Sequence, residues 1–198
     1  IAIMIRVHND DQRMNYLNQL MSGINKMWQE TVMSPSFNPF DIQTCHIIEL
    51  TLMCHASILL SLSINYATIL KDFLPQFMSV MEALSQAIPN APTEEILNAM
   101  KSAKSQILFI LFRFSYFSYN QELIQNMVIP ASFQPILNDY LNSQPQFRLK
   151  SSLKYFTAVF NRCSGTIDDL AFNAYDLIMN ATLPTIVGNY SDYMDIRI

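Results

Sequence analysis

Apolar residues recur at intervals of three and four along most of this chain, in stretches parted by prolines and short polar runs. That is the periodicity of helices joined by short breaks. Asp10 and Asp11 open a first helix, predicted to run to about Thr31 with Tyr16, Leu17, Leu20, Ile24 and Met27 on its apolar face. Asn38 as cap, with Pro39 behind it and Asp41 in the first turn, starts a second helix that extends from Phe40 to about Leu62. After a break near Asn65, a stripe from Tyr66 through Ile69, Phe73, Phe77, Met81 and Leu84 to Ile88 marks a third. Pro75 lies inside that stripe and predicts a kink or a late helix start. Pro92, Glu94 and Glu95 begin a fourth, reaching about Phe117. Gln121 to Ile129 and Pro130 to Leu141 read as a short helix and its continuation across a proline. Pro145 and Arg148 open the next, with Leu149, Leu153, Phe156 and Phe160 as its stripe and Gly165 closing it. The last begins at Thr166, Asp168 and Asp169 and carries Ile167, Leu170, Ala174, Leu177, Ile178 and Ala181.

The fold class that follows is all-α, and its units read as antiparallel helix pairs of roughly forty to fifty residues, the period of HEAT-type α-solenoids, with an irregular helical bundle as the alternative that periodicity alone does not separate. Four such pairs fit, at approximately 1–33, 40–89, 92–141 and 145–189, in one solenoid segment over 1–198. The first residue, Ile1, sits inside an apolar run with no leader-like pattern, so the chain reads as a piece of something longer.

Composition narrows the function classes. Only three glycines occur, Gly23, Gly165 and Gly188, too few for phosphate loops or dinucleotide fingerprints, so no cofactor is expected. Lys/Arg and Asp/Glu balance through Cys163; beyond it Asp168, Asp169, Asp176, Asp192 and Asp195 face Arg197 alone, so the net charge of −4 sits in the last segment. Nucleic acid needs a basic footprint and is not an expected partner. The acidic end, with Asp168, Asp169, Asp192 and Asp195, is the candidate interaction site for a basic protein partner, although a solvated edge has the same composition. Three irregularly spaced cysteines fit a reducing compartment, and the triplets at Asn180 and Asn189 are treated as chance. The uncharged run from Leu50 to Leu70 has spanning length, but His55, three serines, Asn65 and Tyr66 inside it favour buried helices over membrane insertion.

Candidate chemistry is thin. Cys45 and His46 stand nine residues before Cys54 and His55. On a helix that is about 13 Å of rise and nearly half a revolution, whereas a zinc ion needs ligands about 2 Å away. A continuous helix therefore cannot close one site, and no metal is expected. The acidic pairs all lie at helix starts, where the macrodipole favours anions, so capping explains them better than acid-base catalysis. Lys101 with Lys104, and Lys150 with Lys154, read as small solvated basic faces. No enzyme activity is expected.

One stretch goes further. In "VIPASFQPILNDYLNSQPQFRLKSSL" the residues Pro130, Asp139, Tyr140, Pro145, Arg148 and Leu153, followed by Asn161, Gly165 and Ile167, resemble the later HEAT repeats of the karyopherin-β nuclear export receptors in order and spacing. "INYATILKDFLPQFMSVMEALSQAI", "LNAMKSAKSQILFILFRFS" and the closing "NYSDYMDIR" continue the resemblance from about Val7 to Arg197. It implies a ring-shaped solenoid that binds leucine-rich export-signal cargo together with the GTP form of the GTPase Ran, and that shuttles between nucleus and cytoplasm. It also implies contact with phenylalanine-glycine nucleoporins at the nuclear pore. The family's signal groove lies in earlier repeats, so this stretch is expected to act as a curved, elastic wall. The alternative is a HEAT scaffold or adaptor of another class, or a different transport receptor.

Overall fold

The computed structural model describes residues 10–62, 66–118 and 120–188. The expected break near Asn65 lies outside them. Seven helices follow in order: α1 (Asp10–Thr31), α2 (Ile42–Leu62), α3 (Tyr66–Ala87), α4 (Glu94–Phe117), α5 (121–142), α6 (Lys150–Arg162) and α7 (Asp168–Gly188). They form two layers. One holds α2, α4 and α6 side by side, the other α1, α3, α5 and α7, with α2 against α1 and α3, and α4 against α3 and α5. This is an all-α segment of HEAT-like solenoid.

The local reasons are in the caps. Asp41, rather than Asn38, caps α2: its carboxylate accepts the Gln43 and Thr44 amides at 3.2 and 3.1 Å and the Thr44 hydroxyl at 2.8 Å. These bonds, the Thr44 hydroxyl foremost, hold its pKa below the usual aspartate value. Asn38 instead makes a turn, accepting from the Phe40 amide at 3.1 Å. Asp41→Ala is expected to cost about 1 kcal/mol, read as a lower thermal midpoint. Thr93 caps α4 by accepting from the Ile96 amide at 3.2 Å. Gly165, at φ 83°, makes the turn after α6 that a side chain would strain.

α4 is the central helix. Met100, Ala103, Ile107, Leu108, Ile110 and Leu111 are all fully buried, because α2 and α6 flank it in its own layer while α3 and α5 cover it from the other. The stripe expected for α3, from Tyr66 to Ile88, is buried throughout, and the helix passes through Pro75 with no late start. Within α2, Ile42–Leu60 is long and apolar enough to cross a membrane, with half of it buried inside the fold.

The face of α1 differs from expectation. Leu17, Met21, Trp28 and Val32 are buried, whereas Tyr16, Leu20 and Met27 are exposed. The apolar residues of the helix spread over nearly half its circumference, and the partner decides which part of that arc is buried. Trp28 packs edge-on against Phe77 at 5.3 Å and donates its indole N–H to Gln76 of α3 at 2.9 Å. In α6 the buried face is Ser152, Tyr155, Phe156 and Val159, with Leu153 and Phe160 only half-buried. In α7, Ala174, Ile178 and Thr182 face inward and Leu177 is exposed.

α5 is one continuous helix in three parts: an opening turn Gln121–Leu123, a π-helical run Ile124–Phe133 and an α-helical run Gln134–Asn142. Pro130 has no N–H and its ring would strike the carbonyl four residues back in an α-helix. Widening to i→i+5 geometry relieves that conflict. Ser132 ties this run to the next helix: its hydroxyl donates back to the Val128 carbonyl at 2.7 Å and accepts from the Tyr155 hydroxyl of α6 at 2.8 Å.

Candidate functional site

α3 and α5 lie next to each other in one layer and leave a cavity of about 800 Å3 between them, with α4 beneath. Met78 and Met81 of α3, Ile88 in the turn after it and Phe147 of the turn after α5 give it an apolar lining. Around them stand Glu82, Gln86, Asn138, Asn142 and Gln144. Pro75 and Pro135 complete the walls.

The floor holds a charge. Lys104 of α4 is 1% exposed, and its ammonium donates to Asp139 Oδ1 of α5 at 2.7 Å. Burial lowers the lysine pKa from its ordinary value, and the neighbouring Asp139 carboxylate opposes that shift. A buried ammonium without a partner would be strongly disfavoured, so this bond fixes how α5 sits on α4. The expectation of a solvated Lys101/Lys104 face is corrected here. Lys101 reaches the Gln146 carbonyl at 2.9 Å and lies over the Phe147 ring, and Lys104 is core. A lysine at a core position of α4, one turn before Ile107 and Leu108, was the available signal.

Basic side chains also tie the next junctions. Arg148 donates to the Ala181 carbonyl of α7 at 2.7 Å and to the Ser143 carbonyl at 3.2 Å, with its guanidinium over Tyr140. Arg162 of α6 reaches the Ser115 and Tyr116 carbonyls at the end of α4. Tyr140 and Thr182 pair their hydroxyls at 3.2 Å. The aspartate, tyrosine and arginine picked out in the sequence as Asp139, Tyr140 and Arg148 are thus the groups that hold successive helices in register.

The acidic candidates separate. Asp168 and Asp169 are exposed in the first turn of α7. Asp168 has a structural task, its Oδ1 accepting the Gly165 amide at 2.8 Å; Asp169 is the cleaner interaction candidate. Asp192 and Asp195 lie outside the described residues. Of the Cys-His pairs, Cys45 is buried with its thiol directed at the Pro39 carbonyl, and burial pushes its pKa up to about 11. His46 is exposed and Cys54 half-buried. His55 is buried, its Nδ1 2.9 Å from the Tyr66 hydroxyl. The four residues point into different surroundings.

A family model described as CRM1 C terminal matches residues 61–198. Protein EXPORTIN 1B of Arabidopsis thaliana is 23% identical over 210 aligned residues, which cover 100% of this chain and 20% of that protein. Exportin-1 of Schizosaccharomyces pombe is 26% identical over 189, covering 90% and 18%. Exportin-1 of Dictyostelium discoideum is 24% identical over 137, covering 68% and 13%. The chain therefore spans about one fifth of the length of the curated relatives it matches.

Proposed function

The chain belongs to the CRM1 C-terminal family, and from that premise we propose that it forms the later-repeat wall of a nuclear export receptor. In this reading the receptor carries leucine-rich-signal cargo out of the nucleus with the GTP form of Ran and meets phenylalanine-glycine nucleoporins in the pore. The function is binding and mechanical, not catalytic. The observation that carries it is the sequence match of the whole chain to proteins named exportin, and the two-layer helix stack is a scaffold suited to that role. Stacked helix pairs flex collectively and couple distant sites without local chemistry. The repeated carbonyl-to-arginine ties at Arg148 and Arg162 keep neighbouring helices joined as the stack bends.

The test is fluorescence anisotropy of a labelled leucine-rich export peptide, titrated with the full-length receptor carrying these residues, with and without GTP-loaded Ran. Tight binding only with GTP-loaded Ran is expected. Binding indifferent to Ran would replace the export reading with a scaffold. The acidic end supplies a finer test. Asp169→Lys is expected to weaken Ran binding by the receptor about tenfold, chiefly through the association rate. Asp168→Lys would confound this by removing the contact to Gly165. Unchanged Ran kinetics in Asp169→Lys would leave the acidic edge of α7 merely solvated.

A further inference from the structure

The cavity between α3 and α5 is not used by the wall role, and its chemistry is specific. Its volume, about 800 Å3, lies in the roughly 300–1,000 Å3 range of binding clefts. The lining carries two carboxylates, Glu82 and Asp139, against one ammonium, and that ammonium is already bound to Asp139. Glu82 is exposed, and among the described residues no cation pairs with it; its Oε1 accepts only a long bond from Gln86, at 3.3 Å. Lys101 lies over Phe147 and is held by the Gln146 carbonyl, so the rim is acidic only on the α3 wall, at Glu82, and the groove is apolar within. Met78 and Met81 make the apolar part adaptable, since thioether side chains fill irregular gaps at little cost. The Asn142 carboxamide offers both a donor and an acceptor, and Asn138, whose oxygen accepts from Gln134 at 2.8 Å, offers its amide donors, which suits a peptide backbone better than a hydrocarbon or a simple anion.

We propose that this groove docks a segment of a partner protein in which an arginine follows apolar side chains. The apolar groups fill the trough between the half-buried Met78 and Phe147, above the buried Met81 and Ile88, and the guanidinium meets Glu82 on the α3 wall. Arginine suits the position because its planar fork pairs with a carboxylate through two parallel bonds and is weakly hydrated, so it enters a half-apolar site more readily than lysine. An acidic segment is disfavoured by the same rim. The docking stands independently of the export reading: it requires neither Ran nor an export signal.

The experiment uses the full chain and fluorescein-labelled dodecamers with three leucines and one arginine, beside twins in which the arginine is glutamate or glutamine. Anisotropy is expected to rank them arginine, glutamine, glutamate, with about tenfold between the first and last. Glu82→Lys should reverse that order. Ser85→Trp, at a half-buried wall position whose hydroxyl only bonds back to the Met81 carbonyl, should plug the groove and abolish binding while circular dichroism and the thermal midpoint stay unchanged. Equal binding of the three peptides, persistence of binding in Ser85→Trp, or no binding at all would overturn the proposal.

Discussion

Lys104→Met is expected to destabilise the protein by about 3–5 kcal/mol, the usual penalty for stripping one partner from a buried ion pair. The loss comes from the carboxylate left behind. Asp139 has only 11% of its side chain exposed, so without the ammonium it must be stripped of water for nothing, or α5 must lift to hydrate it. Total stabilities of domains are about 5–15 kcal/mol, so the single variant will sit near its unfolding threshold. The double variant Lys104→Met with Asp139→Leu should recover most of the loss, because an apolar pair of similar volume often matches a buried ion pair in stability. Urea denaturation of the four members of this cycle measures the coupling between the two groups. A single-variant loss below about 1 kcal/mol, or a double variant as unstable as the single, would mean that the pair does not carry the α4/α5 contact.

The same pair shows where the sequence was legible and where it was not. Helix existence followed from three-to-four spacing and from caps that act locally, which is why α1, α3, α4 and α7 begin and end close to their expected residues. What escaped depends on which neighbour a face meets. Nothing within α1 distinguishes the Leu17/Trp28 side from the Tyr16/Leu20 side, since both are apolar; Phe73, Gln76 and Phe77 on α3 make the choice. Lys104 was read as solvated because lysine usually is, although its place in α4 between Ala103 and Ile107 on a buried face pointed inward. Its partner lies thirty-five residues away, a contact no local pattern encodes. The π-helical run was hidden for a related reason. Pro130 announces trouble in a helix but not its resolution, and the pairing of Ser132 with Tyr155, twenty-three residues on, that fixes this run against α6 lies beyond any local pattern.

His55 gives the second large effect, through pH. It is fully buried among Tyr66, Phe73 and Phe77, and burial lowers its pKa from 6.5 to about 4. Its Nδ1 lies beside the Tyr66 hydroxyl, which burial keeps in the neutral phenol form; among the described residues Nε2 has no hydrogen-bond partner. The folded state therefore binds its imidazole proton less readily than the unfolded chain does. With more protons bound by the unfolded state between pH 6.5 and 4, stability rises with pH through that window. It is complete above about pH 6.5 and lost progressively as pH falls toward 4, by about 3 kcal/mol at one pKa unit per 1.36 kcal/mol. Asp41, held below its ordinary 3.8, titrates beneath the window and leaves it clear. His55→Gln keeps a polar group beside Tyr66 but does not titrate, so its urea midpoint should vary much less between pH 6.5 and 4 than that of the parent. An identical pH slope in both proteins would assign the acid sensitivity elsewhere. At neutral pH the imidazole is uncharged, so His55 serves there as an aromatic packing group joining α2 to α3, the role its surroundings favour over metal binding.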